Sequence, residues 1–323
     1  MPLSRRLLLS LGFIALTGCA SLAPSSAEHS TKTGWQSPLY QDHPLAGRIW
    51  RASDQRFIST EELQQALSAT PFLLLGEKHD NPDHHSLRLT LLQDMLAADS
   101  LGVVSFEMLD SSQQALVDDL GGVDLDSGQA LQTHLQWDAE GWDWNFYGPV
   151  LTELLRAGVP VRAGNISRDE MMTVYGSELD AEVAAVMDAL QMEQLNKDID
   201  ESHCGMLPAS QFPAMVRVQQ SRDASMARSL LSAQEAAGKR VLIAGNYHVR
   251  RDLSVPNYLT AGFEGLPAAA EQDIVTLGFM EVSPESDAPM DYTEAFSATA
   301  PYDYLWFTPA VSTEDYCAAM RAQ

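Results

Sequence analysis

The chain has 323 residues, with 20 basic and 44 acidic side chains and a formal net charge of −24. This length excludes a mini-protein held together by disulfides, and the acidic balance excludes a nucleic-acid partner, because phosphate backbones attract basic surfaces. Hydrophobic residues make up 45% of the sequence, which is enough for a substantial core. We therefore expect one large folded domain with an acidic, solvated surface.

The first 18 residues have the pattern of a secretory signal. Arg5 and Arg6 precede an apolar run, and Leu16 begins the sequence LTGC, which ends at Cys19. A basic start, a short apolar stretch and small residues before a cysteine are typical of a bacterial lipoprotein signal. We predict cleavage before Cys19, lipidation of Cys19 and a flexible tether over residues 19–40, which are rich in Ser, Thr and Pro. The alternative is an ordinary signal peptide with an incidental cysteine.

Lipidation predicts a protein that is anchored to a membrane of the cell envelope. Ala20 follows the cysteine and favours the outer membrane, with the protein facing the periplasm. Cleavage removes two arginines and no acid, which leaves 18 basic and 44 acidic residues and a net charge of −26. After the signal, no stretch reaches the roughly 18 apolar residues that a membrane-spanning helix needs.

The remainder of the chain, residues 41–323, alternates short apolar runs with amphipathic segments. This alternation predicts an α/β fold, with a mostly parallel sheet flanked by helices. The runs that predict its strands cover residues 72–76, 103–107, 159–163 and 241–245. Two later runs, over 274–282 and 302–308, predict further strands that are antiparallel at an edge of the sheet.

Capping residues mark where helices begin. Ser59 and Glu62 have the spacing of a capping box, and Asn81 before a proline predicts a helix over residues 83–98. Long helical patterns over 177–201 and 212–237 interrupt the alternation. We predict that a helical block, at about residues 167–237, is inserted as a subdomain.

Polar side chains follow the predicted strands directly. Glu77 and His79 come after the first strand, Glu107 ends the second, Asn165 follows the third and His248 follows the fourth. Ligands of open α/β sheets bind at the carboxyl ends of the strands, so we expect these side chains to converge. The first and fourth strands both end in the pattern GxxH.

Two imidazoles and two carboxylates on one sheet edge suit three kinds of chemistry. They can bind a divalent metal, act as general acid and base, or bind the polar edge of a ligand. Our candidate metal ligands, and the catalytic residues of a hydrolase, are Glu77, His79, Glu107 and His248. The simpler alternative is that Glu77 and His79 cap the next helix and pair with Lys78 or Arg88.

A second cluster lies between the two long helical patterns. His203, Cys204 and Met206 fall within four residues of a loop that contains Gly and Pro, and such a loop can reach a porphyrin iron. Equally, Cys204 can form a disulfide with Cys317, with the other two side chains simply packed. Four downstream residues, at helical spacings, are candidates to face the same site. They are Gln219, Arg222, Asp223 and Met226.

Aromatic residues are concentrated between positions 137 and 147. Trp142 and its neighbours can form the wall of a site for a flat ligand, and Tyr147 can offer a phenolate to ferric iron, although such a group is more often core. His84 and His85 point in different directions on the predicted helix, and we assign both to the surface.

The ordered motifs resemble the ChaN-like iron-regulated haem-binding lipoproteins, in the haem-binding uptake and Tiki-like superfamily. The resemblance covers roughly residues 45–283 and rests on six motifs of this sequence. They are GEKHDN at 76–81, FEML at 106–109, AGN at 163–165, HCGMLP at 203–208, the run QQSRDASMA at 219–227, and AGNYHVRRD at 244–252 with VPNYL at 255–259.

The resemblance implies non-covalent haem binding, across a homodimer, in bacterial iron uptake. Its haem is expected on a tyrosine with histidine support. The candidate haem contacts are Tyr147, His203, Met206, Arg222, His79 and His248. For Tiki-like relatives, the resemblance implies a metal-dependent hydrolase site at Gly76, His79, Glu107, Gly245 and His248.

We therefore predict a lipid-anchored haem-binding protein of the bacterial envelope that acts in haem and iron uptake, with an outer-membrane haem receptor as a further partner. The chain has no CxxCH motif, so the haem is expected to be held non-covalently. The alternative function is a metal-dependent peptidase or esterase at the GxxH motifs. A structural lipoprotein without a ligand is the third reading.

Overall fold

A computed structural model describes residues 34–233, 237–293 and 296–321. The predicted signal peptide, the lipidation site Cys19 and the tether up to residue 33 lie outside these residues. Residues at the end of the predicted tether are held on the folded body. The backbone N–H groups of Gln36 and Ser37 donate to the Asp83 carboxylate, and Leu39 pairs with Ala310. The folded body therefore begins before residue 41.

In the described part of the chain, eight strands form a single sheet in the order β2-β1-β8-β7-β3-β6-β4-β5. The strands are β1 Ile49–Arg51, β2 Arg56–Ile58, β3 Phe72–Glu77, β4 Leu101–Asp110, β5 Val161–Asn165, β6 Lys239–Gly245, β7 Ile274–Glu281 and β8 Tyr304–Thr308. Pairing is parallel from β8 to β5 and antiparallel only where β1 joins β8 and β2. The predicted mostly parallel α/β sheet is confirmed.

The two later strands run parallel to β3, so their predicted antiparallel direction is wrong. β7 lies beside β3 after a helix over residues 255–261, and the connection from β7 to β8 is long enough to bring β8 alongside β7 in the same direction. The antiparallel edge is formed instead by the short strands β1 and β2, which the sequence pattern did not predict.

Helices cover both faces of the sheet. They are α1 Thr60–Ser68, α2 Pro82–Ala97, α3 Gln114–Asp118, α4 Gly128–His134, α5 Trp144–Arg156, α6 Arg168–Gly176, α7 Ala181–Ala184, α8 Ala189–Ser202, α9 Phe212–Leu231, α10 Val255–Ala261 and α11 Tyr316–Arg321. The predicted helix over 177–201 is divided into α7 and α8, because Asp180 and Asp188 each cap a new helix. Within the helical block, α9 packs on β4 and β5, and α6, α7 and α8 pack on α9.

The central strands are buried on both faces, which explains their continuous apolar sequence. Leu73 and Leu75 of β3 pack into one core cluster, and Leu74 packs into the cluster on the opposite face. Asn81 accepts backbone N–H bonds at the start of α2, as its position predicts. No helix among the described residues is both long and apolar enough to span a membrane.

Candidate functional site

The carboxyl ends of β3, β4 and β6 bring four of the predicted residues together. His79 lies between two carboxylates, with Nδ1 3.4 Å from Glu77 Oε1 and Nε2 4.0 Å from Glu107 Oε2. His248 Nε2 lies 3.3 Å from Glu107 Oε1. Asn165 lies beside them and donates to the Glu107 carbonyl at 3.1 Å. The strand-end cluster, as we call Glu77, His79, Glu107 and His248, is therefore one connected group.

Glu77 is buried and surrounded by partners. Arg88, from the second turn of α2, donates to its Oε2. The Tyr147 hydroxyl, from α5, donates to its Oε1 at 2.6 Å, and His85 Nδ1 lies 3.4 Å from Oε2. Both carboxylate oxygens are thus engaged, which fixes the carboxylate beneath His79.

Glu107 anchors the other half of the cluster. Its Oε2 accepts the Gly245 backbone N–H at 2.7 Å, and its Oε1 faces His248. The opposite ring nitrogen of His248 lies 2.6 Å from Asp223 Oδ1, and Gln219 Nε2 lies 3.3 Å from the same nitrogen. His248 is therefore held between two buried carboxylates.

Charges in the cluster are balanced within the protein. Burial opposes ionisation of Glu77 and Glu107, but Arg88 and His248, respectively, outweigh it and lower the pKa of each carboxyl to about 2. Burial also opposes a charge on His248, yet Glu107 and Asp223 raise its pKa to about 10. At neutral pH, the protein itself supplies the cations that two buried carboxylates require.

His79 is the exposed member of the cluster. Its side chain is 39% exposed, compared with 8% for His248 and 1% for Glu77. Burial works against its protonation, but the bond to Glu77 and the charge of Glu107 raise its pKa. The ring meets Trp142 edge to face at 4.8 Å between centroids. An external ligand therefore meets His79 first.

The geometry does not fit a metal on the four predicted ligands. Within the described ranges, no three or more His, Cys, Asp and Glu side chains are arranged to hold a metal ion. The reason lies in their partners: Glu77 is neutralised by Arg88, and Glu107 is bonded to Gly245 and paired with a cationic His248. A metal would have to displace these partners.

Tyr147 is completely buried and contacts the cluster from below. Burial and the Glu77 charge raise the pKa of its phenol, and the hydroxyl also lies 3.3 Å from His79 Nδ1. A tyrosine in this position acts as a donor to Glu77 rather than as an exposed phenolate. The aromatic residues around it, including Trp137, belong mainly to the core.

The loop with His203 and Met206 has a different role in the fold. Cys204 forms a disulfide with Cys317, so of the two sequence interpretations the structure shows the bridged one. His203 Nδ1 lies 2.7 Å from the Ile199 carbonyl at the end of α8, and Met206 is 44% exposed. Among the described residues, His203 bonds within its own loop and to the end of α8 rather than to the strand-end cluster.

Arg222 lies on the face of α9 that carries Gln219 and Asp223. Its NH2 group contacts Met171 Sδ at 3.9 Å, while its buried Nε has no hydrogen-bond partner among the described residues. Because Gln219 and Asp223 contact His248, this face of α9 brings a guanidinium to the side of the cluster.

The assignment of His84 and His85 to the surface is wrong, since both are buried. His84 accepts the Lys78 N–H through Nδ1 and lies 2.9 Å from Thr308 Oγ1, while His85 stacks on Phe146. Burial lowers the pKa of His84 to about 3 and that of His85 to about 4. Both faces of α2 are covered, by the sheet and by α5, so consecutive histidines can both be enclosed.

Sequence reasoning missed Arg88 and His85 as members of the site. The sequence suggested Arg88 only as a partner in the alternative in which Glu77 and His79 cap the next helix. The structure contains the Arg88–Glu77 pair. Asp223 was placed on the right helix face by its spacing, but its contact with His248 was not predicted. A buried glutamate at a strand end is the one signal that called for a cation nearby.

Two surface clefts lie away from the cluster. One, of about 510 Å³, is lined by α6, α7 and α9, and the other, of about 490 Å³, runs past Arg162 at the outer edge of β5. Both include Ser225 and Arg228. Neither contains a member of the strand-end cluster.

Comparison with known proteins identifies the family. A family model described as haem-binding uptake, Tiki superfamily, ChaN matches residues 63–259, and the chain belongs to this family. Its fold is similar to a solved structure described as cofacial heme binding to ChaN of Campylobacter jejuni. That chain is 21% identical, with a TM-score of 0.63, and the match covers 80% of this chain and 95% of that one.

Weaker structural likenesses extend to other proteins. An erythromycin esterase EreC mutant in its open conformation is 13% identical with a TM-score of 0.45, covering 80% of this chain and 95% of that one. The type III effector HopBA1 is 14% identical with a TM-score of 0.40, covering 77% and 92%. No match to a curated protein was found.

Proposed function

We propose that this chain is a lipid-anchored haem-binding protein of the bacterial cell envelope that acts in haem and iron uptake. Membership of a haem-binding family supports haem as the ligand. The observation that carries the proposal is the exposed His79 imidazole at the strand ends, held from behind by Glu77 and Tyr147.

His79 has the surroundings of an iron-binding histidine. Histidines that bind metals commonly bond their second ring nitrogen to a carboxylate, which orients the ring and raises its basicity. Here Nδ1 faces Glu77 and Tyr147, so Nε2 would be the nitrogen that binds the iron of a haem. Trp142 at the ring edge adds an apolar surface of the kind that a macrocycle requires.

Other predicted haem contacts take supporting roles in this proposal. His248 orients Glu107 from a buried position, and Tyr147 donates to Glu77. Arg222, with its unpartnered Nε, is the cation we assign to a haem propionate. A local cation is needed because the mature chain is otherwise strongly acidic.

We extend the proposal to a homodimer that holds haem between two copies. The Campylobacter jejuni protein is described as binding heme cofacially. In this chain, Met172, Leu190 and Met206 of the helical block are exposed apolar side chains that a second copy can cover.

The envelope location rests on the lipoprotein signal and on the disulfide. Bonds such as Cys204–Cys317 persist in oxidising compartments, including the periplasm. The proposal further assigns the anchor to Cys19, the location to the periplasmic side of the outer membrane, and an outer-membrane receptor as the source of haem. Labelling with palmitate tests it: wild type should incorporate label and Cys19→Ala should not, and equal labelling contradicts the anchor.

A hemin titration tests the ligand assignment. The wild-type chain should show a saturable Soret shift, and His79→Ala should weaken binding by at least tenfold, since an iron bond is lost. His203→Ala is the matched control, because this histidine lies in the disulfide-linked loop. If His203→Ala loses the Soret shift and His79→Ala keeps it, the iron binds at that loop instead.

Tyr147→Phe separates ligation from support. Removing the hydroxyl should change hemin affinity only a few-fold, because Glu77 keeps its bond to Arg88. If Tyr147→Phe abolishes the charge-transfer band of bound hemin, then the phenolate is the axial ligand and the assignment to His79 is wrong.

A second candidate function is a hydrolase that works without a metal. The observation in its favour is that His79, exposed and between two carboxylates, has the position of a general acid and base. An esterase and peptidase screen of the wild type against Glu107→Gln tests it. Absence of any activity that depends on Glu107 removes this candidate, and the metal-dependent version additionally requires the four residues to exchange their present partners.

A further inference from the structure

On α9 and at the start of α10, four buried polar atoms lack a geometrically complete hydrogen bond among the described residues. They are Asp223 Oδ2, Gln220 Nε2, Ser254 Oγ and Tyr258 Oη. Exposure is 3% for Gln220 and 0% for the other three residues. Buried polar atoms are almost always hydrogen-bonded, so four of them in one region require an explanation.

These atoms come from two helices that pack against each other. Gln220 and Asp223 are three residues apart on α9, and Ser254 and Tyr258 are four residues apart at the start of α10, so each pair shares a helix face. Tyr258 and Ala224 belong to the same core cluster. The two pairs therefore lie on helices that are in direct contact.

The Asp223 carboxylate acts on the Tyr258 phenol through its charge. Burial raises the pKa of the Tyr258 phenol, and the Asp223 charge raises it further, while a hydrogen bond with the Gln220 side chain lowers it. The phenol consequently remains protonated and keeps a donor hydrogen in a region that contains a buried carboxylate oxygen.

We propose that ordered water bound between α9 and α10 joins Asp223 Oδ2 to Tyr258, Gln220 and Ser254. The four groups offer one strong acceptor and three donors, and none of these atoms makes a geometrically complete hydrogen bond within the described part of the chain. A water molecule donates two hydrogen bonds and accepts two, so it can accept from the amide or a hydroxyl and donate to the carboxylate.

Water fits this site better than a cation. Asp223 already has a positive partner, because its Oδ1 lies 2.6 Å from the protonated His248 ring. The Gln220 amide also presents its NH2 group, which repels a cation.

This water makes Tyr258 and Gln220 positioning residues for His248. Asp223 binds the His248 ring with one oxygen, and fixing its second oxygen prevents the carboxylate from rotating. A fixed carboxylate in turn holds the opposite ring nitrogen of His248 on Glu107. The inference needs no haem, so it stands or fails separately from the proposed function.

A high-resolution crystal structure of the full chain is the first test. We expect solvent density within hydrogen-bond distance of Asp223 Oδ2 and of at least one of Tyr258, Gln220 and Ser254. Direct contact of Asp223 Oδ2 with one of these side chains, without solvent, overturns the proposal. So does a peak with the short oxygen-only coordination of a metal cation.

The second test follows the His248 Nδ1 proton by NMR in histidine-labelled protein at one pH. Tyr258→Phe should move this resonance downfield, because the carboxylate loses a competing donor and binds the imidazole more strongly. Tyr292→Phe is the control, since the Tyr292 hydroxyl bonds Ser283 and Ser286 in a different loop. Ser254→Ala should move the same proton resonance downfield by a smaller amount. An unmoved signal in Tyr258→Phe, or equal movement in the control, overturns the positioning role.

Discussion

The buried pair of Arg88 and Glu77 gives the most direct test of how the strand-end cluster is stabilised. Both side chains are 1% exposed, and Arg88 also donates to the Phe146 carbonyl at 2.9 Å. Arg88→Met keeps much of the side-chain volume but leaves a buried carboxylate without its cation. Breaking such a pair costs about 3–5 kcal/mol, which is a large part of the roughly 5–15 kcal/mol that stabilises a typical domain.

The sign of the pH dependence follows from Glu77. In the folded wild type, the pKa of Glu77 is about 2, below the ordinary value of 4.5. Its contribution to the free energy of unfolding is therefore present above pH 4.5 and is lost as the pH falls through 2. In Arg88→Met, burial without the cation raises this pKa instead. The variant therefore regains stability on acidification, and its difference from the wild type should narrow between pH 7 and pH 4.

Urea unfolding of the full chain, without reductant, measures both effects. Arg56→Met is the control, because Arg56 and Glu62 form an ion pair with both side chains more than 40% exposed, and no measurable change is expected. Adding Glu77→Gln to Arg88→Met should restore part of the lost stability. A loss in Arg88→Met no larger than the control's, or one that does not vary with pH, refutes the reasoning.

Three further predictions concern the same part of the fold. Gly245→Ala places a Cβ 2.8 Å from His79 Nε2, so the ring must move, and hemin titration should show about tenfold weaker binding while circular dichroism stays unchanged. His248 has a raised pKa, so its contribution to stability is complete below about pH 6.5 and is lost as the pH rises through about 10. Between these pH values, the free energy of unfolding measured in urea should fall by up to about 1.4 kcal/mol per pH unit. His248→Gln should reduce this dependence of the unfolding free energy on pH. Reduction of the Cys204–Cys317 disulfide, whose cysteines are 113 residues apart, should lower the free energy of unfolding by roughly 2–5 kcal/mol. Urea unfolding with and without dithiothreitol measures this difference, and equal free energies contradict the prediction.

The convergence of polar side chains at the sheet edge was predictable because the sequence shows where each buried strand ends. Glu77, Glu107 and His248 each end or follow a continuous apolar run, and parallel strands present those ends together. The same reasoning gave the correct start of α2 from Asn81. Local patterns were sufficient for these features.

The partners of the cluster could not be read from local patterns. Arg88 contacts Glu77 from α2, and the sequence of this helix has no clear amphipathic pattern because both of its faces are covered. Tyr147 reaches Glu77 from 70 residues away, and Asp223 reaches His248 across 25 residues. Contacts of this kind depend on how α5 and α9 pack, and the direction of β7 and β8 likewise depends on long connections rather than on their own residues.

The attachment of Gln36 and Ser37 to Asp83 has a consequence for how the site is presented. Asp83 lies in the first turn of α2, just beyond the loop that carries His79, so the chain enters the folded body at the end of the sheet that holds the cluster. If Cys19 carries the lipid, as proposed, the anchored segment joins the folded body at the same end of the sheet as His79.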